Sequence, residues 1–256
     1  MRVACSNVGV THGSSAPKVQ ALLDVTFETC EGEFLAIVGP SGSGKTTLLR
    51  AIAGLIHPQS GAIQRFSSAE GEQRALIISQ EHSLFPWMTV LDNAAFGLEM
   101  SKVGKKDRRA RARELLQRFG LADWDGFYPN QLSLGMKQRV AVIRGFLSNP
   151  SLLLMDEPFS ALDVQTRLTL QEELLSLWEQ SHTSVIFVTH DVEEAIRLSD
   201  RVLVLGSRPG TVIADFQVSF ARPRHASITL SEEFLQLKRE IWAKLGLEAQ
   251  EGVIAC

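Results

Sequence analysis

The chain has 256 residues, a formal net charge of −3, 45% hydrophobic residues and 21% charged ones. That length buries a sizeable core as one large domain or two joined lobes, and the composition excludes a disordered chain. The charge excludes the global basic excess of a nucleic-acid binder, and three scattered cysteines, Cys5, Cys30 and Cys256, form neither a disulfide framework nor a zinc site.

Such cysteine usage fits a reducing cytoplasm. The first ten residues lack the charged start and apolar stretch of a signal peptide. No run approaches the ~20 apolar residues that span a bilayer. Any membrane role is therefore expected to come through a partner.

In chain order, the first buried strand is expected at Phe34–Val38, followed by a glycine-rich turn and a helix from about Lys45 to Ala53 that stops near Gly54. A second strand is expected at Ala75–Ile78. Between Ser101 and Phe119 lies a helical stretch containing Lys102, Lys105, Lys106, Arg108, Arg109, Arg111 and Arg113; no aromatics interleave with them, so it reads as a solvated face. A helix from about Leu134 to Ser148 ends before Asn149-Pro150. Strands follow at Leu152–Met155, Val185–Val188 and Val202–Leu205. Between the first two, a helix over about Val164–Gln180 carries the apolar stripe Leu168, Leu174, Leu175 and Trp178. After Ser207 the chain reads as an appendage with a helical stretch at Glu232–Leu245. Short apolar runs alternating with helices indicate an α/β fold with a largely parallel sheet.

Gly39-Pro40-Ser41-Gly42-Ser43-Gly44-Lys45-Thr46 matches G-x-x-x-x-G-K-[ST], directly after a strand and directly before a helix. Glycines let backbone N–H groups wrap phosphate oxygens, and the helix start aims its positive dipole end at the same anion. Lys45 is placed to neutralise the β- and γ-phosphates of ATP, and the Thr46 hydroxyl to ligate Mg²⁺. Asp156 and Glu157 end an apolar strand, where adjacent charges are costly unless they serve a cation or a reaction. Asp156 is expected to hold Mg²⁺ through its water shell, and Glu157 to orient or deprotonate the water attacking the γ-phosphate. His190 follows another strand of the same sheet and is assigned to sensing the γ-phosphate.

Leu132-Ser-Leu-Gly-Met-Lys-Gln-Arg139 opens a helix with Ser133 as N-cap. With this segment the chain resembles the ATP-binding subunits of ABC transporters, and the resemblance covers nearly the whole length. Residues 39–46 resemble their Walker A loop, with Thr47 adjoining it, and residues 152–157 their Walker B strand. Leu132–Met136 resembles the signature motif, Ser160-Ala-Leu-Asp163 the D-loop, His190 the switch histidine and Gln80 the Q-loop glutamine, a metal-site residue. Leu84–Asn93, Asp156–Asp163, Arg208-Pro-Gly-Thr-Val212 and Phe220–Arg224 resemble nitrate, sulfonate and taurine importer ATPases.

The resemblance implies a P-loop NTPase of the ABC ATPase type, a mixed sheet core with a helical subdomain. It implies a nucleotide lobe of about 1–84 and 151–206, a helical lobe of about 85–150 and an appendage of about 207–256. Two copies would face head to tail, with ATP between one phosphate loop and the other copy's Ser133 and Gly135, near Asp163. Further partners would be a transmembrane permease docked near Gln80 and, indirectly, an extracytoplasmic solute-binding protein. The subunit would then sit peripherally at the cytoplasmic face of the inner membrane, without nucleic acid, energising import of a small solute.

Two positions depart from the family pattern. Leu134 stands where the signature has glycine; the expectation is that its side chain turns sideways and leaves the contacts of Ser133 and Gly135 intact. His12 stands where an aromatic ring usually stacks on adenine, and its smaller ring offers less area. The competing readings are a soluble ABC ATPase serving assembly, and an inactive regulatory ATP-binding module. Intact Lys45, Asp156, Glu157 and His190 argue against the latter.

Overall fold

The computed structural model describes residues 1–13, 18–66, 75–79, 84–181 and 183–246. It divides into two compact units, Met1–Gly71 with Ser184–Cys256, and Glu72–Thr183. The first unit opens with β1 (Arg2–His12), β2 (Val19–Glu28), β3 (Phe34–Val38), α1 (Lys45–Ala53) and β4 (Ser60–Phe66). The second supplies β5 (Ala75–Ile78), α2 (Val90–Met100), α3 (Lys105–Arg118), α4 (Leu134–Leu147), β6 (Leu152–Asp156) and α5 (Val164–Ser181). The chain returns to the first unit with β7 (Ser184–Thr189), α6 (Val192–Leu198), β8 (Arg201–Leu205), β9 (Val212–Gln217) and α7 (Glu232–Leu245).

In the first unit, β3 lies between β7 and β8, parallel to both, with Val38 opposite Thr189 on one side and Val204 on the other. Every residue of β3 and β7 is buried, which is why both read as unbroken apolar runs rather than alternating ones. β9 adds antiparallel to β8, so the sheet is mixed. A separate antiparallel sheet has the order β2-β1-β4. In the second unit β5 and β6 pair in parallel, Ala75 opposite Leu152 and Ile78 opposite Met155.

Helices α2, α3 and α4 pack on one another. Gly97 on α2 allows the close approach, because a Cβ there would lie 1.8 Å from the Ser148 hydroxyl. Buried Asn93 donates to the carbonyls of Phe85, Met88 and Thr89 and so fixes the turn entering α2. The basic stretch forms α3, with Ala112 and Leu116 turned into the core. Its Arg108, Arg109 and Arg113 pair with Glu99, Asp92 and Asp125.

The described residues beyond Ser207, up to Gly246, pack within the first unit. Arg224 is 5% exposed and donates to carbonyls at the end of α6, while Phe234 and Ile241 of α7 are fully buried. Lys238 of α7 pairs with Glu193 of α6 at 2.9 Å.

The N-terminal strand gives a labelling prediction. Cys5 on β1 is buried, and burial pushes its thiol up to about 12, whereas Cys30 is exposed. Because the thiolate is the nucleophile, a thiol reagent at pH 8 is expected to modify Cys30 about a hundredfold or more faster than Cys5. Peptide mapping reads this out. Equal rates would contradict the burial of β1.

Candidate functional site

Strand β3 delivers Gly39 to the same sheet edge at which β7 gives way to His190. From there the loop turns through two glycines in the left-handed region, Gly42 at φ 79° and Gly44 at φ 88°. A Cβ on Gly44 would lie 2.7 Å from the Ala21 carbonyl oxygen, so only glycine fits. The Ser43 amide donates to the Pro40 carbonyl at 3.1 Å and closes the turn. Helix α1 begins at Lys45, and no side chain caps its N-terminus. Its first-turn amides therefore face the loop concavity without a competing side-chain acceptor.

Lys45 is 6% exposed, and its amine donates to the Gly39 carbonyl at 2.8 Å and the Pro40 carbonyl at 3.1 Å. The cation is thus held on the loop itself. Ser43 is fully buried and its hydroxyl has no hydrogen-bond partner. Backbone donors, an anchored ammonium and an orphaned hydroxyl suit a polyphosphate.

Two other sequence-predicted residues meet nearby. The imidazole Nε2 of His12 lies 3.0 Å from the Thr47 hydroxyl, which places His12 against the start of α1. His190 is exposed and is followed by Asp191, whose carboxylate caps α6 by accepting from the amides of Glu193 and Glu194. The Thr189 hydroxyl accepts from the Asp191 amide and donates to Glu194, fixing the turn that carries His190. Gln80 lies outside the described residues.

In the second unit, β6 ends at Asp156, which is 6% exposed. The hydroxyl of Thr46 and the carboxylate of Asp156 are hard oxygen donors, the kind Mg²⁺ accepts. Glu157 adopts φ 47°, an unusual backbone for a non-glycine residue. Its carbonyl accepts from both the amide and the hydroxyl of Ser160, which holds it there.

Ser133 caps α4, its hydroxyl accepting from the Met136 amide at 3.3 Å. A cleft of about 370 Å³ is lined by Ser133, Leu134, Gly135 and Asp163 together with Arg139 and Thr166. The predicted residues Ser133, Gly135 and Asp163 therefore share one surface recess. Leu134 lines it too and is 43% exposed. The Thr166 amide and hydroxyl hold the Asp163 carboxyl below the usual carboxylate range, so it is ionised at neutral pH. The phosphate loop with His12, Thr47 and His190 belongs to one unit, and the cleft with Asp156 and Glu157 to the other.

One contact escaped the sequence. The Arg208 guanidinium donates from Nε to the Gly42 carbonyl at 3.1 Å, across 166 positions of chain. The Arg208-Pro-Gly segment was legible as a motif but not as a neighbour of the loop, because only the β8–β9 connection brings it there.

The chain is similar to known proteins over most of its length. The ABC transporter family model matches residues 22–160. A taurine import ATP-binding protein from Rhizobium johnstonii is 44% identical over 236 residues, covering 89% of each chain. A nitrate import ATP-binding protein from Synechocystis is 43% identical, covering 91% of each. An aliphatic sulfonates import ATP-binding protein from Bacillus anthracis is 39% identical, covering 94% of each. Among solved structures, a dimeric ATP-binding cassette bound to ADP and Pi superposes with a TM-score of 0.75 at 31% identity, covering 86% of this chain and all of that one. A phosphate loop built on a buried parallel strand, matched over most of the chain by these relatives, leaves one conclusion: the chain belongs to the ABC transporter family.

Proposed function

We propose that the chain hydrolyses MgATP to energise import of a small solute, of the nitrate, sulfonate or taurine kind, through a separate permease. The observation that carries this reading is the phosphate loop, with Lys45 anchored on its carbonyls and two left-handed glycines opening its amides. The substrate class rests on the import relatives. No helix among the described residues is long and apolar enough to cross a membrane, and in this reading the solute path belongs to the separate permease. We place the subunit peripherally at the cytoplasmic face of the inner membrane, with a solute-binding protein acting indirectly.

As lobes we keep the sequence-based division, a nucleotide lobe of about 1–84 and 151–206, a helical lobe of about 85–150 and an appendage from about 207. The compact units instead break at Gly71 and Thr183 and take the residues after 207 into the first unit. Mutual packing of α2, α3 and α4 supports the helical lobe. Two copies acting head to tail would use the recess of Ser133, Gly135 and Asp163 on one to complete the phosphate loop of the other. That recess stays on the surface of the single chain, as such a role requires.

Within this scheme the loop amides of residues 39–46 and the Lys45 amine bind and orient the phosphates. Thr46, Asp156 and Gln80 would hold Mg²⁺, which supplies charge neutralisation at the phosphate oxygens. Glu157 takes the proton of the attacking water on its carboxylate, and His190 donates a hydrogen bond to the γ-phosphate. His12 packs beside the adenine, next to Thr47.

Two experiments test the proposal. Lys45→Ala is expected to weaken MgATP binding at least about tenfold, since it removes a charge-assisted contact to phosphate. Calorimetry showing unchanged affinity would remove the loop assignment. For import, deleting the gene in its source cell should abolish uptake of one of labelled nitrate, taurine or an alkanesulfonate, with the parent gene restoring it. Unchanged uptake of all three would overturn the solute class.

A further inference from the structure

The Arg208-Pro-Gly segment has no part in the mechanism above, yet the fold sets it against the phosphate loop at two points. Residues 206–211 connect β8 to β9 and are tied across their base by the Gly206 amide on the Thr211 carbonyl at 2.9 Å. Gly210 is pinned to β2 from both sides, its amide donating to the Ala21 carbonyl and its carbonyl accepting from the Leu23 amide. A Cβ on Gly210 would lie 2.0 Å from the Ser43 carbonyl oxygen, so the backbone of this segment touches the loop. A few residues away the Arg208 side chain, itself exposed, reaches the Gly42 carbonyl. Its guanidinium lies so close to the loop that a Cβ on Gly42 would meet it at 2.6 Å.

The Gly42 carbonyl and the Ser43 amide belong to one peptide unit. The carbonyl accepts from Arg208 and the amide donates to Pro40, so that peptide is held at both ends. Its orientation sets the left-handed turn at Gly42, and hence the direction of the neighbouring amides that face the phosphates. Pro40 also accepts from Lys45, which makes the arginine the outer member of a chain of hydrogen bonds ending on the catalytic lysine. Cationic donation to the carbonyl polarises the peptide and strengthens the bond on its far side.

We infer that Arg208 is a positioning residue for nucleotide binding, a brace that holds the phosphate loop in its phosphate-accepting shape before ATP arrives. This rests on the reading that the loop binds ATP. Preorganisation of this kind acts on affinity, because a loop already ordered loses less freedom on binding. Arg208 is exposed and lies outside the core, so its loss should leave the nucleotide-free fold intact.

The test is binding of magnesium with a non-hydrolysable ATP analogue by calorimetry, to the parent, Lys45→Ala, Arg208→Ala and Arg208→Lys. The nucleotide-free melting temperature of each is measured alongside. Arg208→Ala is expected to weaken binding about tenfold, the scale of one charge-assisted hydrogen bond, while its melting temperature stays near that of the parent. Lysine, which keeps the charge and one donor, should recover most of the affinity. In steady state the alanine variant should raise KM for ATP and leave kcat close to the parent value. Unchanged affinity in Arg208→Ala, with binding lost in Lys45→Ala, would overturn the brace and leave the loop assignment standing. A melting temperature that falls together with affinity and is not rescued by lysine would also overturn it, as a general fold contact. Equal binding by the parent and Lys45→Ala would instead strike at the loop assignment itself.

Discussion

Replacing Glu157 by glutamine is expected to lower ATP turnover about a thousandfold, the range of a lost general base, while ATP affinity stays close to that of the parent. The two side chains have the same shape, so the change removes a proton acceptor without creating a cavity. The surrounding geometry argues that the position is specialised. Glu157 follows the fully buried strand β6 and adopts φ 47°, with its carbonyl held by the amide and hydroxyl of Ser160. Non-glycine residues in that region cost roughly 1–3 kcal/mol and persist where the surroundings over-determine them, often at reacting sites. Phosphate release measured at saturating MgATP reads the effect. Turnover equal to the parent would remove Glu157 from the chemistry.

The second large effect concerns stability. Arg224→Ala is expected to destabilise the chain by about 3 kcal/mol, because it strips the partner from several buried carbonyls at once. Arg224 is 5% exposed, and its guanidinium donates to the carbonyls of Phe220, Ile196, Arg197, Ser199 and Val218. Two of those carbonyls lie in α6 and a third just past its end, so one planar side chain ties α6 to the segment leaving β9. Burial lowers the pKa to about 10, with Arg222 nearby adding to the effect, and the group remains protonated at neutral pH. Arg224→Lys should recover less than half of the loss, since an ammonium cannot fork to so many acceptors. At this chain length such a loss corresponds to a melting temperature lower by roughly 6–12 °C. A drop within experimental error would mean that water replaces the arginine without cost.

The buried parallel strands were legible because burial on both faces leaves unbroken apolar runs. Phe34–Val38 matches its expected limits, as does Ala75–Ile78, which is only partly buried; β6 and β8 exceed theirs by one residue at one end and β7 by one residue at each end. Helix starts at Lys45 and Leu134 were legible from the glycine turn and the Ser133 cap. The helix from Val164 was expected too, but its buried face runs through Leu170, Leu174, Leu175 and Leu177 and leaves Leu168 of the expected stripe exposed. The antiparallel sheet was not. Strand β1 changes register between Cys5 and Val8 and again before Val10, with Asn7 at φ 51°, which breaks any alternation. Strand β4 is almost wholly exposed and carries no apolar pattern at all. Helix α6 has only seven residues, too few for a periodic signal.

The site shows the same contrast. Residues 39–46 are contiguous, so their chemistry can be read from a motif. The recess of Ser133, Gly135 and Asp163 joins two segments that only the packing of α4 near the start of α5 brings together. Arg208 is the extreme case, because nothing near it in sequence names Gly42 as its partner. Leu134 illustrates the reverse. Its departure from glycine was plain in the sequence, and the structure leaves the side chain 43% exposed beside Ser133 and Gly135.

In the proposed dimer, ATP joins two copies of this chain through the phosphate loop of one and the Ser133–Gly135 recess of the other. Light scattering of the purified Glu157→Gln protein, with and without MgATP, tests it most directly. The account predicts a monomer without nucleotide and a dimer with it, and no dimer when Lys45→Ala is added. A protein that binds MgATP yet stays monomeric would contradict the shared site and point to Leu134 as the obstacle to closure.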